Sequence, residues 1–191
     1  MKILAQNKKN ENQLKEKYSS CLDFSILPPS MDTHTKFIVM GVSASGKSTL
    51  GKALAQKMGC LFIEGDDYHS AENINKMRQG APLNDADRAP WLQSLNTRLK
   101  AEKGGAVLAC SALKRSYREI LTKGVLPCPK FIYIDCDVKT LEKRMQERNH
   151  FMPLGLLQSQ LDTLEKPISA LKVMGDQDLT AQLNQIIRSI R

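Results

Sequence analysis

Short apolar runs alternate with longer stretches of helical periodicity along most of the chain. Lys36-Phe37-Ile38-Val39-Met40 has the length and composition of a buried strand, and Thr49 to Met58 repeats apolar residues at helical spacing. Leu61-Phe62-Ile63 predicts a second strand, followed by a short helix from Ala71 to Gln79 that stops at Gly80. A longer helix from Asp87 to Lys103 stops at Gly104-Gly105. Ala106 to Cys110 reads as a third strand, with a helix from about Leu113 to Thr122 behind it. Lys130 to Ile134 reads as a fourth, after which Asp137 is placed to N-cap a helix running through Arg148. A helix from about Pro153 to Leu164, a weak strand near Leu171 to Met174 and a last helix from Leu179 to Ile190 complete the pattern. Strands alternating with helices predict an α/β fold whose parallel five-stranded sheet is flanked by helices through right-handed crossovers.

Residues 1 to 35 break this rhythm. They are rich in Lys, Asn, Glu and Gln and show no sustained periodicity before Pro28-Pro29-Ser30. Such a segment has too little apolar surface to offset its ordering entropy, so it is expected to be a disordered N-terminal extension ahead of one domain at 36–191. Met31 lies just before the first strand, so translation from it would still yield the whole domain.

At 191 residues, 41% hydrophobic and 25% charged, the chain suits one soluble three-layer core rather than two large domains. A net charge of +8 raises a nucleic-acid reading, but six Lys against four acidic residues up to Lys36 leave most of the excess on the domain. There Lys47, Arg88, Lys114, Arg118, Arg144 and Arg148 fall in segments that would face small anions. No basic stripe is interleaved with aromatics, so no nucleic-acid partner is expected. Cys21, Cys60, Cys110, Cys128 and Cys136 are odd in number and form no CxxC, which fits inert thiols in a reduced, cytoplasmic setting. No apolar run approaches the ~18 residues of a membrane span, so no membrane association is expected.

Between the first strand and the first helix stands Gly41-Val42-Ser43-Ala44-Ser45-Gly46-Lys47-Ser48, a complete G-x-x-x-x-G-K-[ST] phosphate loop. Phosphate oxygens need many donors at close range, and glycine lets successive backbone N–H groups turn inward unobstructed. Lys47 adds a point charge for the β and γ phosphates, the Ser48 hydroxyl suits Mg²⁺, and the helix through Thr49 contributes the positive end of its dipole. The expected cofactors are therefore ATP and Mg²⁺, held by residues 41 to 49.

Phosphate loops serve switches, motors and kinases alike. A guanine switch needs N-K-x-D, and the nearest segment, Asn75-Lys76-Met77-Arg78, ends in Arg. A kinase needs a carboxylate near the acceptor hydroxyl, and Glu64-Gly65-Asp66-Asp67-Tyr68-His69 puts acids at the end of the second strand beside the loop. Strand alternation would send Glu64 and Asp66 to one side, one toward the metal shell and one toward the acceptor.

Several segments narrow the choice. Asp66-Asp67-Tyr68-His69, Asn73 through Met77, Pro82-Leu83-Asn84-Asp85-Ala86-Asp87-Arg88-Ala89-Pro90-Trp91-Leu92, Cys110-Ser111-Ala112-Leu113-Lys114, Tyr117-Arg118, His150-Phe151-Met152-Pro153 and Leu157-Gln158-Ser159-Gln160 accompany the phosphate loop. Together they resemble the gluconokinases, small phosphate-loop kinases related to shikimate and nucleoside monophosphate kinases, over about residues 37 to 167. The resemblance implies a nucleoside-monophosphate-kinase-like fold with a lid at about 144–157. It also implies ATP-dependent phosphorylation of D-gluconate at its 6-hydroxyl, and a possible homodimer.

On this reading Lys47, Asp66, Arg144 and Arg148 are catalytic, the two arginines as lid groups meeting the transferring phosphoryl. Asp66, His69, Arg88, Lys114, Arg118 and His150 would hold the substrate, with Arg88 and Arg118 offering planar forks for its carboxylate. Ser48 and Glu64 would serve the metal. Competing structural readings are an Arg88 ion pair with Asp85 or Asp87 at a helix start, and Trp91 as core packing rather than a sugar platform. The chain departs from the gluconokinase pattern at Ala44, Glu64, Asn149 and Leu161 and after Pro167. A kinase for another hydroxy acid such as shikimate and a nucleotide-binding protein without catalysis remain alternatives.

Overall fold

A computed structural model describes residues 34–147 and 154–190. Five strands form one parallel sheet: β1 (Lys36–Met40), β2 (Leu61–Glu64), β3 (Ala106–Ala109), β4 (Lys130–Asp135) and β5 (Leu171–Met174), in the order β2-β3-β1-β4-β5. Ile38 on β1 pairs with Leu108 on one side and Phe131 on the other, which sets the register at the centre. Among the described residues the helices are α1 (Lys47–Met58), α2 (Ala71–Arg78), α3 (Asp85–Ala101), α4 (Arg115–Thr122), α5 (Val138–Glu147), α6 (Leu154–Thr163) and α7 (Leu179–Ser189).

Alternation along β1 divides the core into two layers. Ile38 and Met40 pack with Leu108, Trp91, Leu92, Leu95, Tyr117 and Leu121, on the side of α3 and α4. Phe37 and Val39 pack with Val107, Ile132, Leu50, Leu54 and Ile186, on the side of α1 and α7. A third cluster of Val42, Leu113, Leu141, Met145 and Leu157 ties α5 and α6 to the loop that follows β1.

Among the described residues the predicted elements are all present, and their edges move for local reasons. α3 begins at Asp85, two residues before its predicted start, because Asn84 and Asp87 form a reciprocal capping box that admits Asp85 and Ala86 to the first turn. α4 begins at Arg115 rather than Leu113, since Ala112 takes a left-handed φ of 45° and Lys114 is extended. Asp137 caps α5 as expected, its carboxylate accepting from Thr140 N–H at 2.9 Å.

Candidate active site

The crossover order brings the loops after β1, β2 and β3 to the carboxyl edge of the sheet, where open α/β folds hold ligands. They enclose a cavity of about 570 Å³. Ser43, Ala44, Gly46, Lys47, Ser48 and Thr49 line it from one side, and Asp66, Asp67, His69 and Arg88 from the other.

Three residues of the phosphate loop have positive φ: Gly41 at 146°, Ala44 at 60° and Gly46 at 104°. Ala44 carries a side chain in the left-handed region, a strain of order 1 kcal/mol that the surroundings must hold. Gly46 caps α1 without any side-chain acceptor, so the first-turn N–H groups have no intrahelical partner and sit at the cavity wall with the positive end of the dipole. The Lys47 ammonium donates to Val42 O at 3.0 Å. Burial pulls its pKa below the ordinary value, and the negative charges of Asp66 and Glu64 oppose that shift.

Two side chains brace the loop. Gln160 on α6 accepts from Ser43 N–H at 2.8 Å and donates to Ser43 Oγ at 2.9 Å. Arg144 on α5 donates to the carbonyls of Ala44 and Ser45 at 3.4 and 3.2 Å and to Gly175 O at 2.6 Å. Arg144 is therefore spent on backbone carbonyls and lies off the cavity lining.

After Glu64 the chain leaves the strand for a 3₁₀ turn, Gly65–Tyr68. Strand alternation, expected to align Glu64 with Asp66, thus ends at Glu64. The turn delivers Asp66 to the cavity, while Glu64 stays off the lining and reaches Lys47 through its charge. Any side chain at residue 65 would collide with the Ala109 carbonyl, so glycine alone permits this turn to pack on β3. Trp91 Nε1 donates to Gly65 O at 2.8 Å and pins the turn from below.

Trp91 is buried in the core, as its packing reading required, yet one face is turned to His69. The His69 pKa is lowered by burial, with Asp66 opposing and Arg88 assisting, so the imidazole is neutral at pH 7. Its Nδ1 is buried and has no hydrogen-bond partner among the described residues.

Arg88 is not paired with the acids at its helix start. Asp85 is taken by Lys114 at 2.8 Å and by the Tyr117 hydroxyl, and Asp87 by Lys76 at 2.7 Å and Asn84 N–H. Arg88 instead donates to Leu83 O and lies 5.6 Å over the Tyr117 ring while lining the cavity. Lys114 and Arg118 lie outside the lining. Arg118 donates to the carbonyls of Ala112, Leu113 and Glu165 at 3.0 to 3.1 Å. Gly41, Val42 and Ser45 form the back of the loop, and Arg148 and His150 lie outside the described residues.

The sequence reading assigned no role to Gln160, Ser111, Met77 or Leu83, all of which line the cavity. All four fall in the quoted segments, but the apolar pair carries no chemical signal that separates it from core residues. Cys110, at the cavity's rear, has its thiol pushed up to about 12 by burial, which keeps it inert. No group of three or more His, Cys, Asp or Glu among the described residues is arranged to hold a metal. Ser48, Asp66 and Asp67 bring to the cavity oxygen donors of the kind a magnesium ion takes.

A parallel sheet in this order, a phosphate loop at its carboxyl edge and a carboxylate facing that loop define a phosphate-loop kinase. A family model described as an AAA domain matches residues 37–167. The thermosensitive gluconokinase of Escherichia coli is 43% identical over 166 residues, covering 81% of this chain and 88% of the relative. A gluconokinase structure from Sinorhizobium meliloti superposes with a TM-score of 0.76 at 41% identity, covering 84% of this chain and 93% of the other. Shikimate kinase from Acinetobacter baumannii has a TM-score of 0.59 at 17% identity, covering 83% and 94%, and shares the fold. The chain belongs to the gluconokinase family.

Proposed function

We propose that the protein transfers the γ-phosphoryl group of MgATP to the 6-hydroxyl of D-gluconate, giving 6-phospho-D-gluconate and ADP. The observation that supports this reading is that Asp66, Lys47, Ser48 and Arg88 line one cavity. The first-turn N–H groups and Lys47 hold the triphosphate, and bound Mg²⁺ neutralises charge on it. Asp66 orients the attacking hydroxyl and takes its proton as the new P–O bond forms and the bond to the ADP oxygen breaks. Arg88 meets the gluconate carboxylate with its planar fork, and neutral His69 hydrogen-bonds a chain hydroxyl.

Glu64 supports Lys47 and the metal through its field. Lys114 and Arg118 reach substrate only by exchanging their present partners. Arg148 and His150 belong to the lid in this reading, closing over the triphosphate to exclude water. Arg144 acts on the phosphoryl group through the loop carbonyls it holds.

Incubation of the protein with MgATP and D-gluconate followed by ³¹P NMR of the product tests this. A phosphate monoester on O6 is expected. ADP formation without phosphorylated gluconate, or a phosphate on another hydroxyl, overturns it.

A further inference from the structure

The carbonyl of Val42 and the N–H of Ser43 are the two ends of a single peptide unit, which is planar and rigid. At one end, Val42 O receives the Lys47 ammonium at 3.0 Å and Ser45 N–H at 3.3 Å. At the other, Ser43 N–H donates to Gln160 Oε1 at 2.8 Å. Gln160 also gives an Nε2 hydrogen to Ser43 Oγ at 2.9 Å, so its carboxamide is held in both directions and cannot rotate without losing one bond. The pair bridges 117 positions of sequence and joins α6, the helix that follows residues 148–153, to the phosphate loop.

From this geometry we infer that Gln160 is a positioning residue for Lys47. It fixes the tilt of the Val42–Ser43 peptide plane and thereby where the lysine ammonium rests before and during nucleotide binding. A carboxamide is required because the site asks for one acceptor and one donor on neighbouring atoms. A carboxylate supplies only acceptors and adds negative charge beside the triphosphate, and an alkyl group supplies neither. Because α6 carries the carboxamide, displacement of that helix turns the peptide plane and shifts the ammonium.

The inference rests on the nucleotide half of the proposed function and is independent of which acceptor the enzyme uses. It is tested without gluconate, by calorimetric titration of a non-hydrolysable ATP analogue with Mg²⁺ into wild type, Gln160→Ala, Lys47→Ala and the double variant. Gln160→Ala is expected to weaken binding about tenfold, the scale of one to two lost hydrogen bonds. In the Lys47→Ala background the same substitution is expected to cost less than about twofold, since the group it positions is gone. Ser43→Ala, which keeps the peptide N–H and its bond to Gln160 but removes the hydroxyl, is expected to weaken binding less than Gln160→Ala does.

Thermal melting of each variant accompanies the titrations, so that binding is compared only between folded proteins. A Gln160→Ala loss of the same size with and without Lys47 shows a merely structural prop and overturns the inference. A Ser43→Ala loss equal to that of Gln160→Ala does so too, by moving the effect from the peptide plane to the hydroxyl. Absence of analogue binding by the wild type overturns the nucleotide reading itself.

Discussion

The His69 imidazole lies flat on the Trp91 indole, with ring centroids 4.2 Å apart and planes 16° from parallel. The same indole donates to Gly65 O, so one buried side chain supports both the turn carrying Asp66 and the imidazole three residues beyond it. Trp91→Phe keeps an aromatic face for His69 and removes the hydrogen bond to Gly65. It is expected to lower unfolding free energy by about 1 to 3 kcal/mol, the cost of an unsatisfied buried carbonyl, and turnover by about tenfold. Trp91→Leu, which also removes the stacking face, is expected to do worse on both. Urea denaturation and steady-state kinetics check this; a Trp91→Phe enzyme with wild-type turnover contradicts the assigned support.

Lys47→Ala and Asp66→Asn are each expected to cut turnover by at least ~100-fold while leaving the chain folded, because both groups act on charge that develops in the transition state. Circular dichroism establishes folding and a coupled assay measures turnover. Near-normal turnover in Asp66→Asn refutes its role as base.

Protonation of His69 opposes folding. Its folded pKa lies below the ordinary 6.5, so the unfolded chain binds this proton more readily than the native one. Stability from this residue is complete above about pH 6.5 and declines as pH falls from there toward the lowered folded value, by at most about 1.4 kcal/mol per pH unit. His69→Asn is expected to flatten the acid limb of a stability-versus-pH curve by that amount. Chemical denaturation from pH 5 to 8 reads it directly, and parallel curves for the two proteins contradict the buried neutral state.

Much of this was legible from residue order. Short apolar runs and helical periodicity located the strands and helices of the described residues; the run of β1 is apolar throughout because both its faces are buried, Phe37 and Val39 on one side, Ile38 and Met40 on the other. The phosphate loop was readable because its chemistry is local, with glycines, lysine and serine contiguous. What could not be read depends on partners distant in sequence. That Asp85 is occupied by Lys114, freeing Arg88, depends on contacts across 29 and 32 positions. That Arg118 and Arg144 are committed to backbone carbonyls is likewise a matter of where loops fold back. Strand alternation misled at Asp66 because the close approach of Gly65 to Ala109 forces a 3₁₀ turn there, a tertiary constraint that no local pattern announces.

The identity of the acceptor decides the proposed reaction. An ADP-release assay with MgATP, run on the full chain against D-gluconate, shikimate and nucleoside monophosphates at equal concentration, measures it directly. Turnover with D-gluconate at least about 100-fold above every other acceptor is the predicted result; no turnover with D-gluconate, alongside turnover with shikimate or a nucleotide, contradicts it.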